Sequence, residues 1–367
     1  MLATKEAIIA PEWARERYIR STMPVLWLPL YRKGFNQSAE LLTNTGFETG
    51  DPPTGWSAAG ASWVRSNEQA KAGTYSGKLT RAGVNCQAYQ LYYGHVKYRG
   101  LRAILGDWVY ATVANRARTT IGDGIGNTHS SYHSGSSSWE WLTTTRTIDA
   151  ASSNIGAYMK VDNADVSAYF DEATMYIPDL CMSADAYGHI CQNNGSLYAL
   201  MGRQFDAVLD DYINLGIPSS LHFTSQPFSG AVWVKFDALT ANHRIITKGL
   251  SNTDGWVWYV TTTGILAFET DQAAANQTSA SKAGSIVTGV WYHLAFSRNG
   301  ASVRMYRNGV DITSSPTGHT NPADNSARPF WIGHSTASLN GQVREARIWA
   351  RPLSGVEVMQ DFLETRF

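Results

Sequence analysis

The stretch WYHLAFSRNGASVRMYRNGVDI, residues 291–312, carries two Asn-Gly dipeptides, Asn299-Gly300 and Asn308-Gly309, each flanked by alternating apolar residues. A two-residue type I′ turn needs positive φ at both central positions, which Asn and Gly adopt most cheaply. Alternation gives each flanking strand one buried face and one wet face. The segment therefore predicts an antiparallel meander. Upstream, FSGAVWVKFD places Phe228, Val232, Val234 and Phe236 on one strand face and Ala231, Trp233 and Lys235 on the other. At the far end, Ser354 and Glu357 form an S-x-x-E capping box ahead of VMQDFLETRF, which predicts a short closing helix.

The rest of the chain agrees with an all-β reading. Its 32 Gly, 13 Trp and 18 Tyr suit aromatic strands joined by Gly-rich turns. A length of 367 residues accommodates two domains with cores of their own. The 30 basic and 30 acidic residues cancel without forming like-charged blocks, so neither nucleic acid nor an anionic membrane is expected as a partner. No apolar run approaches the ~20 residues of a membrane-spanning helix.

MLATKEAIIAPEWARERYIRS, at the amino terminus, has charges where a secretory signal needs an uninterrupted apolar stretch, and it reads as mature sequence. Pro11 can open a short helix, with Trp13, Arg17 and Ile19 following. Residues 1–22 are read as an arm that packs on its own domain or on a neighbouring subunit. Cys86, Cys181 and Cys191 form no CxxC pair and so give no zinc motif; Cys181 and Cys191 bridge only if their strands align, and free buried thiols are the expectation.

Four segments of the carboxyl half carry a resemblance. GRQFDAVLDDYINLG (202–216), GAVWVKFD, WYHLAFSRNGASVRMYRNGV and LNGQVREARIWARPLSGVEV look like, in order, the hallmark strands of laminin G-like domains of the concanavalin A-like class. The resemblance implies a jelly roll of two antiparallel sheets. Arg344 stands where the family often has an acidic residue, which puts any ligand contact there in doubt. The family's first strand commonly reads Leu-Trp-x-Leu, followed closely by an Asp-x-x-Gly-His turn. Here VLWLPLY lies at 25–31 and DAYGH at 185–189. The expectation is a discontinuous sandwich, 23–35 with 180–367, and a second module inserted at 36–179.

The insert has its own signature. ELLTNTGFETGDPPTGWS, AGTYSGKLT, SWEWLTTTRTIDA and VSAYFDEATMYIP resemble carbohydrate-binding modules of the galactose-binding-like jelly-roll type. In that family the Glu of the opening motif and the Asp of the closing strand meet around a structural calcium ion, which carries over here to Glu48 and Asp171. Ca²⁺ takes six to eight oxygens, and two carboxylates with nearby carbonyls suit it. The alternative is that Glu48 caps a turn and Asp171 pairs with an arginine. Asp206, Asp210 and Asp211 are read as organising a β-turn.

Sugar binding needs exposed rings beside hydrogen-bonding groups, since the C–H face of a pyranose packs on a ring while its hydroxyls want polar partners. The candidates are Trp56, Trp63, Tyr89, Tyr92, Tyr93, Tyr132 and His133. Trp139 and Trp141, two apart on one strand face, are assigned to the core.

Catalytic signatures are missing. Glucanases on the concanavalin A-like fold use Glu-x-Asp-x-Glu on one strand, and no such triplet occurs. HExxH, GxSxG and a P-loop are also absent, and GDGIGN lacks the required spacing. The expected function is non-enzymatic. One reading is a virion surface protein of a bacteriophage, a capsid decoration or tail component, homo-oligomeric (a trimer) and seated on a major capsid or tail protein. The other is an extracellular lectin or adhesin that binds glycans.

Overall fold

The computed structural model describes residues 12–31, 35–82 and 86–367. Pro11 and the side chain of Trp13 lie outside the described residues. The chain forms two compact units: residues up to Phe35 with Cys181–Phe367, and Asn36–Leu180.

The first unit begins with helix α1 (Glu12–Ser21) and strand β1 (Leu26–Pro29). β1 pairs antiparallel with the Gly341–Trp349 strand, Leu26 opposite Ile348 and Trp27 opposite Arg347. Across 315 or so residues of sequence, VLWLPLY thus joins the sheet built by the carboxyl-terminal meander. An eight-stranded and a nine-stranded antiparallel sheet make up this unit. Leu26 and Leu28 enter its core with Phe228, Trp258, Phe268, Phe296 and Ile348.

β1 is apolar along its whole length because both faces are buried. On the side away from the core, the Trp27 indole donates to Glu345 Oε1 at 2.8 Å, and Arg20 of α1 lies over the ring. The DAYGH turn holds the same strand. Asp185 Oδ2 accepts the Trp27 amide at 2.9 Å, and its Oδ1 accepts the amides of Tyr187 and Gly188. Burial pushes the Asp185 carboxyl up, but hydrogen bonds from His189, Ser183 and the Trp27 amide more than offset it and hold the group at about 2. Its folded value therefore lies below the unfolded one. The stabilisation is present above about pH 4 and is lost as pH falls toward 2.

Both turns of the meander form, one shifted by a residue. Asn308 and Gly309 have φ of 52° and 80°, and the pair connects Arg307 directly to Val310. Asn299 is instead the last residue of its strand, paired with Ser302, so Gly300 and Ala301 make the other turn. Helix α2 (Gly355–Thr365) carries the capping box, with the Ser354 hydroxyl accepting from the Glu357 amide. Asp206 and Asp211 organise a turn. Asp206 Oδ1 accepts the Val208 amide, and Asp211 Oδ2 accepts the Asp206 amide. The three cysteines are free.

The second unit is a jelly roll of two five-stranded antiparallel sheets, β2-β5-β10-β7-β8 and β3-β4-β11-β6-β9. Its strands are β2 (Ser57–Ala59), β3 (Ala61–Ser66), β4 (Ser76–Arg81), β5 (Gln87–Tyr92), β6 (Arg102–Tyr110), β7 (Ala117–Gly122), β8 (Asn127–His129), β9 (Trp139–Thr147), β10 (Ile155–Val161) and β11 (Ser167–Tyr176). Alternation decides what each sheet shows to solvent. In β10, Ile155, Ala157, Met159 and Val161 are fully buried, so Tyr158 and Lys160 face outward.

Candidate functional site: the outer face of the β2-β5-β10-β7-β8 sheet

One row across this face reads Ser57, Tyr89, Tyr158, Thr120 and His129, each directly opposite the next on the neighbouring strand. Tyr89 and Tyr158 stack with ring centroids 5.7 Å apart and 29° between planes. The Tyr158 ring lies across a bare stretch of sheet: a Cβ at Gly156 or Gly122 would come within 2.5 Å and 2.9 Å of its Cε2. Side chains at those two positions would push the ring off the sheet.

Polar groups flank the rings. Arg118 Nε pairs with Asp162 Oδ2 at 2.7 Å, and the Tyr132 hydroxyl donates to the same oxygen at 3.1 Å. The Arg118 guanidinium lies 4.6 Å above the Tyr132 ring. Lys160 is opposite Arg118 on the adjacent strand, and burial lowers its ammonium below the ordinary lysine range. His129 bonds the Thr120 hydroxyl through Nδ1 at 2.8 Å. Burial, then the charges of Arg118 and Lys160, lower the imidazole's pKa, so it is neutral at pH 7. A stacked ring pair beside a guanidinium, an ammonium, a carboxylate and an imidazole is suited to a polyhydroxylated ligand.

The structure keeps two of the aromatic candidates on this face and removes the others. Tyr89 and Tyr132 are partly exposed on it. Tyr92 is three residues from Tyr89, hence on the opposite side of β5, where it packs against Tyr98 at 6.2 Å. Trp56 and Trp63 are 5% and 6% exposed because both close on Phe47, at 5.1 and 5.3 Å, in the core of the jelly roll. His133 is fully buried, its Nε2 against the Ser138 carbonyl and its Nδ1 accepting the Gly135 amide; it shapes a loop instead of meeting a ligand. Tyr93 is 70% exposed, in the turn after β5. The assignment of Trp139 and Trp141 to the core is overturned. Trp141 is 43% exposed, because Leu142 and Thr144 are the β9 residues that turn inward.

Glu48 and Asp171 both clasp one loop at the other sheet. Glu48 Oε1 accepts the amides of Thr74 and Tyr75, while Asp171 Oδ2 accepts those of Lys71 and Ala72. Glu172 adds a third carboxyl: a Cβ at Gly46 would lie 2.9 Å from its Oε1 and 3.8 Å from Asp171 Oδ1. Asp171 is fully buried, and burial pushes its carboxyl up to about 6 against the hydrogen bonds of three amides. No arginine is among its hydrogen-bond or ion-pair partners in the described residues, so the pairing alternative falls. Among the described residues no group of three or more His, Cys, Asp or Glu forms a ready metal cluster.

In the sandwich unit, Glu269-Thr270-Asp271 comes nearest to the glucanase strand pattern, but Ala273 stands in the third place. Both carboxyls are buried, with Glu269 accepting from Ser251 and Thr278 hydroxyls and Asp271 from the Asn252 amide. A substrate has no access to them. Arg344, at the departure from the family pattern, donates to the Met201 carbonyl at 3.1 Å and lies over the Tyr31 and Phe367 rings. No described helix is long and apolar enough to cross a membrane.

Residues 206–359 match the family described as the concanavalin A-like lectin/glucanases superfamily. A search of curated proteins gives no match. Among solved structures, the chain is similar to the binding domain of Paraclostridial Mosquitocidal Protein 1, at 14% identity and TM-score 0.42, covering 49% of this chain and 48% of that one. It thus spans about half the length of that protein. It is also similar to the CBM22-1 xylan-binding domain of Paenibacillus barcinonensis Xyn10C, at 17% identity and TM-score 0.34, covering 41% of this chain and all of that one. Domain 4 of AbnA, an extracellular arabinanase of Geobacillus stearothermophilus solved with arabinotriose, gives 22% identity and TM-score 0.35, covering 45% and 79%.

Proposed function

We propose that this chain is a non-catalytic glycan-binding protein whose jelly-roll unit receives a saccharide on the outer face of the β2-β5-β10-β7-β8 sheet. The observation that carries this reading is the Tyr89–Tyr158 stack, its Tyr158 ring laid over Gly122 and Gly156, with Arg118, Lys160 and His129 beside it. The rings supply apolar faces for sugar C–H groups, and the flanking groups supply donors and acceptors for hydroxyls. The concanavalin A-like sandwich gives the first unit a lectin-like fold. Display of the pair on a virion, as a homo-oligomer bound to a capsid or tail protein, rests on family analogy, which ranks it below glycan binding. Affinity electrophoresis in gels containing soluble neutral polysaccharides tests the proposal. Retardation by at least one polysaccharide is expected, and Arg118→Ala should weaken it about tenfold by removing a charged donor. Migration unaffected by every polysaccharide contradicts it.

Ca²⁺ is proposed to sit at Glu48 and Asp171. Asp171 and Glu48, with Glu172 beside Gly46, offer hard carboxylate oxygens of the kind Ca²⁺ takes, although as they stand they make no three-ligand cluster among the described residues. Carbonyls and water would complete the shell. The ion would pin the 71–75 loop that Glu48 and Asp171 already hold. Without it, the native state binds the Asp171 proton more tightly than the unfolded chain does. Stability of this unit should then fall by about 3 kcal/mol as pH rises from about 4 to about 6. Millimolar Ca²⁺ should raise Tm at pH 7, EGTA should reverse the gain, and the gain should vanish below pH 4. An identical Ca²⁺ shift in Asp171→Asn would show that the ion binds elsewhere.

A further inference from the structure

The opposite sheet of the jelly roll carries a second ring array. Tyr169, Tyr110 and Trp139 lie directly opposite one another on β11, β6 and β9, and successive centroids are 5.8 Å apart. In the next row Trp108 and Trp141 pair, 5.5 Å apart. These side chains point away from the core, since the intervening Val109, Leu142 and Phe170 are the buried ones. Trp141 lies across Gly106, where a Cβ would come 2.3 Å from Cζ2, and it is 43% exposed. Glycine at 106 lets the indole settle against the sheet. The role that Gly122 and Gly156 have under Tyr158 is repeated here on a different surface.

The surroundings indicate what such a face receives. Its charges are already balanced or stacked: Lys78 pairs with Glu68 at 2.6 Å, and Lys71 Nζ lies 3.9 Å over the Trp108 ring. The Tyr169 hydroxyl is bonded to Glu68. Exposed Thr143 and Thr145 continue the row along β9. Among the described residues, the lysines at the rings are already paired with a carboxylate or stacked on an indole, and a protein interface, which also favours Tyr and Trp, is depleted of the Lys and Glu found here. Rings set among hydroxyls and neutralised charges suit an uncharged sugar chain.

We propose that the outer face of the β3-β4-β11-β6-β9 sheet is a second saccharide-binding surface, built on Trp139, Trp141, Trp108 and Tyr110 and selective for neutral polysaccharide. It shares no side chain with the Tyr89–Tyr158 face. The unit would then hold glycan on both sides, and retention on a polymer would exceed the affinity of either face.

Affinity electrophoresis of the full chain, with a panel of soluble neutral polysaccharides (arabinoxylan, mixed-linkage β-glucan, galactomannan, arabinan), separates the two faces. Tyr89→Ala/Tyr158→Ala should reduce retardation and leave a residual. Adding Trp139→Ala/Trp141→Ala should cut that residual at least tenfold, with the thermal transition intact. A Trp139→Phe/Trp141→Phe protein, which keeps rings at both positions, should retain most of it and guards against simple unfolding. Complete loss of binding in Tyr89→Ala/Tyr158→Ala overturns this second surface and leaves the first standing. Wild-type binding in that variant contradicts the first face alone. Unchanged migration after tryptophan replacement overturns the second, as does light scattering that shows a wild-type dimer broken by Trp139→Ala/Trp141→Ala, since a second copy would then cover the face.

Discussion

Asp361→Ala is expected to destabilise the sandwich unit by about 3–5 kcal/mol, read as a fall in denaturation midpoint at unchanged m-value. Asp361 lies on α2, fully enclosed, where its Oδ2 takes His293 Nε2 at 2.9 Å and its Oδ1 takes Arg347 Nη1 at 3.0 Å. Arg347 and His293 are themselves fully buried. Removing the carboxyl leaves a guanidinium without its main acceptor in a dry environment, the costly half of a buried ion pair. The loss propagates through the same network. Arg347 neighbours Glu345 at 3.7 Å, Glu345 accepts the Trp27 indole of β1, and Thr365 accepts the Trp233 indole at 2.9 Å. β1 and α2, from the two ends of the chain, are thus joined through one set of charges. Replacing Asp361, His293, Arg347 and Glu345 together by apolar residues should cost less per charge removed than Asp361→Ala alone; a larger cost would mean that the charges stabilise the fold beyond satisfying one another.

Tyr89→Ala/Tyr158→Ala should weaken saccharide binding at its own face by roughly 100-fold, equivalent to about 2.8 kcal/mol, with little change in folding. Both rings are partly exposed at the outer surface, so their truncation opens no core cavity. What is lost is the stacking surface itself. An undiminished affinity would require the saccharide to bind through Arg118, Lys160 and His129 alone, and the ring pair would then have no part in recognition.

Much of the architecture was legible because it is encoded locally. Asn308-Gly309 and the S-x-x-E box each act over a few residues, and the structure realises them. The half-buried strand expected of FSGAVWVKFD is instead buried on both faces, because Trp349, Leu353 and Val358 pack with Ala231 on its other side. The Asn299 turn slipped by one residue because pairing with Ser302 extends the strand, a choice made by the ladder and not by the dipeptide. Sites were less legible. Period two shows that Trp139 and Trp141 share a face but not which face is wet; the cue was in the neighbours, since Thr143 and Thr145 share their parity while Leu142 does not. IGAYMKV (155–161) holds a clearer signal: its apolar residues occupy one parity, leaving Tyr158 and Lys160 to solvent. Trp56 and Trp63 offered no such cue, because their burial depends on Phe47 arriving from a separate loop.

Isothermal titration of the intact wild-type chain with soluble neutral polysaccharides tests the central claim most directly. Saturable heat with at least one polysaccharide, weakened by Tyr158→Ala to a residual carried by the second face, is the predicted result. No saturable heat across the panel, from protein shown to be folded by its thermal transition, would contradict glycan binding as the function of this fold.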